Sequence, residues 1–364
     1  MNQPLSYPSG RVAIFNGAGK PIELIEATVR SLKPGEILVR TLYTTLCGSD
    51  IHTYCGRRQE PPKVVLGHEI VGEIVAIEPS HSGKDFRGSV LAVGDRVTWA
   101  IFNVPAGVVA PRIDIPQKSD GLFKYGHVLA EGDDIFSGGL ADYCILRDHT
   151  AVIKVSSELS VKVSATISCA HATVAGALRV ADSLAGKRVL VFGMGLLGLS
   201  CLAMCKEAGA SWIGAVDTNE DRLKWYKDFG ATAAYNISNH SADDGLPWPE
   251  VDAVFDMTGD SAAMKLGIDS LAVGGCAVWI GAVFPNSPVA VDAQKIVRKV
   301  LQIKGLHNYN YDDFVQATSF IENHYGDYPF DALIEKEFDL EEIEEAFQYA
   351  TLHKPVRVGI QINN

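Results

Sequence analysis

Nowhere in the 364 residues do eighteen apolar residues run together, and Met1–Gly10 has no basic segment leading into an apolar run. The first absence argues against a membrane span and the second against a signal peptide. Basic charge is also short: 32 Lys and Arg stand against 44 Asp and Glu, a formal net charge of -12. A surface of that sign repels phosphate backbones, so neither nucleic acid nor an anionic membrane is an expected partner. Cysteine is sparse. Seven thiols, at 47, 55, 144, 169, 201, 205 and 276, are an odd number scattered without a framework. They read as reduced side chains in a cytoplasmic protein rather than as a disulfide scaffold. Low-complexity tracts and internal repeats are absent too, so disorder is not expected.

What is present is the composition of a compact α/β protein, 47% apolar and 21% charged, with 34 glycines. The length exceeds what one core usually serves, which predicts two domains. The text changes character near residue 165. Before it come short strand-like runs, Glu36–Thr41, Ile70–Ile77 and Arg96–Trp99, broken by Gly, Pro and Asp. These predict an irregular, mainly β domain. After it, strands and helices alternate: Arg188–Phe192 and a helix through Ala208, Trp212–Val216 and a helix Glu220–Phe229, then Val251–Asp256 and Ala277–Ile280. That alternation predicts a parallel sheet with helices on both faces. An acidic helix, Leu340–Ala350, and a last strand, Val356–Ile360, could join either domain on pattern alone.

Leu190-Val191-Phe192 runs straight into Gly193-Met194-Gly195-Leu196-Leu197-Gly198. A G-x-G-x-x-G between a strand and a helix marks a dinucleotide site. The first Gly permits the turn, the second lets a pyrophosphate approach, and the third lets helix and strand pack closely. Leu196 and Leu197 then lie where helix N–H groups would meet the phosphates. Asp217 follows the next strand, 24 residues after Gly193. It is placed to accept hydrogen bonds from the adenosine ribose and to repel a 2′-phosphate, favouring NAD over NADP. Its alternative is a cap on the helix near Glu220, and Asn219 and Arg222 leave room for dual cofactor use.

Three further segments carry metal-ligand types: Cys47-Gly48-Ser49-Asp50-Ile51-His52, Gly67-His68-Glu69 and Cys169-Ala170-His171. A thiolate, an imidazole and a third Cys or carboxylate, with one position left open, make a catalytic zinc pattern. Taken singly, each is as readily a buried core residue. With Gly72, Gly94-Asp95-Arg96-Val97 and the glycine loop, these segments resemble the medium-chain zinc alcohol dehydrogenases over essentially the whole chain. Thr45–Arg58 and Leu122–Gly126 bring it closest to those associated with phosphonate catabolism.

The resemblance implies a GroES-like catalytic domain over 1–165, a doubly wound Rossmann domain over 166–307, and a return to the first domain over 308–364. It places the active site in the cleft between domains. It makes Cys47, His68 and Cys169 the zinc ligands, Asp50 the residue that orients His68, and Glu69 a nearby carboxylate or alternating ligand. Arg357 would contact the cofactor pyrophosphate, and Ser49 and His52 would carry the substrate proton outward. His171 reads as a pocket or core residue. Where many relatives hold a structural zinc, this chain has Pro105, Val108, Pro111 and Ser119, none a ligand. One zinc per chain is therefore expected, with Val104, Val108, Val109, Ile113 and Ile115 packing in its place. Arg57, Arg58, Lys63 and Lys124 could bind an anionic substrate, and Tyr54, Trp99, Phe102, His307 and Tyr309 are candidate pocket walls for a small alcohol or aldehyde. The resemblance also implies a homodimer or homotetramer joined edge to edge along Ala277–Val291. Two rivals stand beside this reading: a metal-free quinone or enone reductase of the same fold, and a non-catalytic dinucleotide-binding protein.

Overall fold

The computed structural model describes residues 7–105, 107–108, 114–238 and 245–363. The chain forms two compact units, Met1–Cys169 with Ile334–Asn364, and Ala170–Leu333.

The first unit is built on a seven-stranded sheet. Its centre is the β-branched and aromatic strand Ile37–Leu46, paired antiparallel with Glu69–Ile77, with Tyr143–Leu146 and with Arg357–Gln361. Arg96–Trp99 and Val152–Lys154 extend one side, and Ile334–Asp339 closes the other. The last strand pair is parallel, so it needs a crossover, which the helix Ile343–His353 supplies. One face of the sheet buries Trp99, Phe123, Tyr125 and Val97. A second core gathers Leu46, Phe338 and Phe347, with the Tyr54 ring stacked on Phe347 at 4.7 Å.

The second unit is a six-stranded, all-parallel sheet. From edge to edge its strands are Ala233–Asn236, Trp212–Asp217, Arg188–Phe192, Val251–Asp256, Leu271–Trp279 and Gln302–Gly305. This is the doubly wound order 3-2-1-4-5-6, which reverses between Arg188–Phe192 and Val251–Asp256. Gly193 follows the first of these strands with φ +90°, a conformation that disfavours a side chain. A Cβ on Gly198 would lie 1.8 Å from the Gly193 carbonyl oxygen, so helix Leu196–Glu207 can sit this close only without one.

Several expectations need correction. The chain rejoins the first unit at Ile334 rather than near Asn308. Helix Tyr311–His324 stays with the second unit because Asp313, 1% exposed, holds Arg179 of helix Ala172–Val180 through hydrogen bonds of 2.7 and 2.9 Å. The helix expected over Glu220–Phe229 ends at Leu223, and the chain continues in tight turns, Trp225 and Tyr226 bonding carbonyls three residues back. Leu271–Trp279 is paired on both sides, so the sheet edge expected along Ala277–Val291 is instead Gln302–Gly305. The helical stretch Val161–Val180 is long and apolar enough to cross a membrane, although no eighteen apolar residues run together, but 83% of its apolar window is buried inside the protein. Tyr54 and Trp99 belong to the cores just described, and the Tyr54 hydroxyl donates to Glu344 at 2.6 Å.

Gly198→Ala is expected to cost on the order of 2–3 kcal/mol through this backbone clash, read as a lowered thermal midpoint. Gly195→Ala is the control, since a Cβ there meets nothing within 4 Å. A Gly198→Ala midpoint no lower than that of Gly195→Ala would refute the packing role.

Candidate metal centre and cofactor loop

The metal candidates converge from three separate segments of the first unit. Cys47 is the extended residue that precedes helix Gly48–Tyr54. Its N–H donates to the Asp50 carboxylate at 3.0 Å, which folds the first turn back on itself. The other Asp50 oxygen accepts the Gly67 N–H at 3.5 Å and lies 3.3 Å from His68 Nδ1. Asp50 is 1% exposed, so one buried carboxylate ties the Cys47 turn to the His68 turn. With Nδ1 facing Asp50, the other ring nitrogen faces the site, 3.3 Å from Ser49 Oγ.

Cys169 arrives by a different device. Ser160 caps helix Val161–Thr166, and the chain then widens into a π-helical turn over Ile167–His171 before helix Ala172–Val180. Such turns re-aim side chains out of a regular helix. Ser168 fixes the turn against the sheet: its hydroxyl donates to the His68 carbonyl at 3.1 Å and accepts the Ile70 N–H at 3.4 Å.

The result brings one ligand atom each from Cys47, His68 and Cys169 within 4.8 Å of one another, all three buried. Tetrahedral zinc with thiolate bonds near 2.3 Å would hold two sulfurs about 3.8 Å apart, within that span. Two sulfurs and an oriented imidazole are a donor set that fits zinc. The Cys169 thiol hydrogen-bonds to Cys47, and this contact, with the cations Arg357 and His68, outweighs burial and holds the Cys47 thiol well below its ordinary range. The same contact, with burial, raises the Cys169 thiol well above its ordinary range. Burial works against charge on His68, yet Asp50 and Cys47 together raise it well above the usual imidazole range. Among the described residues no other cluster of this kind forms. Of the expected lobe, Val109, Pro111 and Ile113 lie outside the described residues.

Glu69 is fully buried beside this group. Burial pushes its carboxyl up to about 7, against the pull of Arg357. Arg357 Nη2 donates to it at 2.9 Å, and the Thr45 hydroxyl donates to its other oxygen. Arg357 is thus bound up with Glu69 and the Leu46 carbonyl, 3.4 Å away, while its Nε has no partner among the described residues. His52 lies three residues after Ser49, on the same face of the short helix, half-buried. Thr45 and Ser168 escaped sequence reading, because hydroxyls one or two residues from a candidate ligand carry no signal of their own.

In the second unit Asp217 ends strand Trp212–Asp217, 9% exposed. It accepts the Met194 N–H at 2.5 Å and the Asn219 N–H at 2.8 Å. Asn219, not Asp217, caps the helix at Glu220. Asp217 therefore braces the glycine loop, and Gly195 opens onto free space. His171 also belongs to this unit: it is fully buried, its Nδ1 sits 2.8 Å from Ser200 Oγ, and its ring meets Phe330 edge-on.

Arg357→Met is expected to destabilise the protein by roughly 3–5 kcal/mol, because it strands the Glu69 carboxylate. Adding Glu69→Gln should recover most of that loss in denaturant titrations. A double variant as unstable as the single one would rule the pairing out as the cause.

Comparison with known proteins agrees with this construction. Residues 33–157 match the alcohol dehydrogenase GroES-like domain and residues 197–323 match the zinc-binding dehydrogenase domain. The L-threonine 3-dehydrogenase of Shewanella baltica is 28% identical over 302 residues, 80% of this chain and 82% of that protein. The alcohol dehydrogenase of Thermotoga maritima superposes with a TM-score of 0.89 at 24% identity, over 98% of this chain and all of its own. A Sinorhizobium meliloti protein described as a zinc-binding dehydrogenase, with NADP bound, gives 0.83 at 20% identity, over 97% of this chain and 99% of its own. Two domain matches in series, on the two folds just described and around a buried Cys-His-Cys group, make this chain an oxidoreductase of the medium-chain zinc-dependent alcohol dehydrogenase family.

Proposed function

We propose that the protein is an NAD-dependent alcohol dehydrogenase that holds one zinc on Cys47, His68 and Cys169 and interconverts a small alcohol with its carbonyl partner. The observation that carries this is the buried convergence of those three ligand atoms. When bound, the metal supplies Lewis-acid polarisation of the substrate oxygen and makes its hydroxyl more acidic. The protein's own residues then handle the proton. Ser49 Oγ, beside His68, accepts it from the substrate hydroxyl, and His52 on the same helix face delivers it to solvent. Burial, reinforced by Arg57, holds His52 below the ordinary imidazole range, so it stands neutral and ready to accept at neutral pH. Asp50 keeps His68 in one orientation, as second partners of metal-bound histidines do.

When bound, a nicotinamide cofactor would supply the hydride acceptor. Gly195 would leave room for its pyrophosphate in a loop that Gly193 turns and Gly198 keeps close to its helix, and Leu196 and Leu197 would offer N–H groups at the helix start. Asp217, with lone pairs left after its two backbone contacts, would take the ribose hydroxyls, Arg222 would lie nearby, and the spare Arg357 donor suits an anionic cofactor. The L-threonine 3-dehydrogenases among its relatives put secondary alcohols first among substrates to assay, and the similarity of Thr45–Arg58 to phosphonate-associated enzymes adds alcohols that carry an anion.

Elemental analysis of purified protein is expected to give about one zinc per chain. Cys47→Ala should lose both the metal and NAD-dependent alcohol oxidation. Full activity without zinc, under metal-replete and chelator-free handling, would favour a metal-free reductase; two zincs would show a second site outside the described cluster. Asp217→Ser is expected to lower the NAD-to-NADP preference by at least tenfold in kcat/KM, and an unchanged ratio would remove Asp217 from cofactor choice.

A further inference from the structure

His68 is held from two sides, and the proposed chemistry accounts for one of them. Asp50 takes the Nδ1 edge of its ring. Against the ring itself lies His127, with centroids 5.0 Å apart and planes inclined by 36°. His127 is firmly placed. Its side chain is 8% exposed, and its Nδ1 lies 2.9 Å from Glu60 Oε1. A carboxylate can only accept, so Nδ1 carries the hydrogen and the His127 ring has one orientation.

Glu60 is fixed in turn. Its side chain is 7% exposed, and the same oxygen pairs with Arg58 Nη2 at 2.9 Å. Burial works against charge on Glu60, yet His127 and Arg58 hold its carboxyl below the usual range. The backbone beside Arg58 returns to the helix that follows Cys47: the N–H groups of Arg57 and Arg58 both donate to the His52 carbonyl, at 2.8 and 3.2 Å. Gly126, next to His127, is pressed onto the His68 turn. A Cβ there would lie 2.8 Å from the Gly67 carbonyl oxygen and 3.2 Å from His68 Cβ. The Gly126 N–H donates to the Ser137 carbonyl at 2.8 Å, which keeps that close approach in place.

We propose that Glu60 and His127 are positioning residues for the metal, a second arm beside Asp50 that holds the His68 ring at the angle at which its Nε2 meets the ion. This rests on the zinc reading of Cys47, His68 and Cys169.

Two arms do what one cannot. A single hydrogen bond at Nδ1 leaves an imidazole free to rock about that bond, because hydrogen bonds tolerate a broad range of angles. A second ring packed against the first blocks the rocking, provided that it cannot move either. The bond from His127 to Glu60 meets that condition. Both routes also join the same two turns. One runs from Cys47 through Asp50 to His68, the other from His52 through Arg58, Glu60 and His127 to His68. A closed loop of buried polar contacts is stiffer than either branch alone. Partners placed behind a metal-bound histidine govern how firmly the metal is held. Packing alone would ask only for an apolar ring at 127. A buried carboxylate beyond it carries a desolvation cost that an apolar neighbour would avoid.

The test follows zinc release from the loaded protein into a chromophoric chelator, together with the visible absorption bands of the cobalt(II)-substituted protein. Both are recorded well below each variant's own thermal midpoint. Glu60→Ala and His127→Phe are each expected to speed release on the order of tenfold and to shift the cobalt bands. Glu60→Gln still offers an oxygen to the His127 N–H, so it should keep slow release and the wild-type bands. His127→Phe preserves the ring and most of its volume, which keeps the comparison open if Glu60→Ala fails to fold. Wild-type release and wild-type bands in His127→Phe would overturn the second arm while leaving the zinc reading intact, because a role in stability alone lowers the midpoint without moving the bands. Equal losses in Glu60→Gln and Glu60→Ala would overturn it too, since the bond to His127 is then not what matters. A wild type that takes up neither zinc nor cobalt overturns the zinc reading, and this proposal with it.

Discussion

The site depends on one buried carboxylate. Asp50 accepts backbone N–H groups from Cys47 and Gly67 and faces His68 Nδ1, so two segments twenty residues apart are registered against a single side chain. A buried, multiply hydrogen-bonded carboxylate is costly to leave half-satisfied, which is why it rigidifies whatever it holds. Cys169 needs a separate anchor, because it lies on a helix a hundred residues away. Ser168 provides it by bonding the backbone on either side of Glu69. The donor set is in place because two small polar residues each satisfy backbone groups of a neighbouring segment.

The same group explains why a charge pair sits under the sheet. Glu69 and Arg357 are both buried, and desolvating either alone would cost several kcal/mol. Together they hold the final strand against the strand that leads into Cys47, Arg357 reaching both Glu69 and the Leu46 carbonyl. The last strand is therefore part of the framework of the first unit, around the Cys47, His68 and Cys169 group. The glycine loop of the second unit has a matching economy: Asp217 accepts the Met194 N–H, so the residue proposed to choose the cofactor also shapes the loop that would hold its phosphates.

Much of this was legible before any coordinates. The glycine spacing at 193–198, read in a strand–helix context, located the turn at Gly193 and the close helix packing at Gly198. Cys47, His68 and Cys169 carried ligand chemistry in their residue types. Harder to read were features with no compositional mark. The π-helical turn at Ile167–His171 looks like ordinary apolar helix in the text, although the reading of His171 as a pocket or core residue agrees with its burial against Ser200 and Phe330. Tyr54 and Trp99 resembled pocket walls because aromatic residues serve cores and pockets alike. The return of the chain was placed too early because nothing local distinguishes helix Tyr311–His324 from one that packs elsewhere; the Arg179–Asp313 pair decides it.

By itself the sequence determined what is local: strand and helix periods, the glycine turn, the side chains able to bind a metal, and the sign of the overall charge. These follow from backbone sterics and residue chemistry, which act over a few neighbours. Only the tertiary structure decided which distant residues meet. It set the His127 ring against that of His68, paired Glu69 with Arg357 across nearly three hundred residues, and kept Tyr311–His324 with the parallel sheet. Burial makes those choices, because a charge or polar group taken out of water must find its partner in space, and separation along the chain places no limit on where that partner lies.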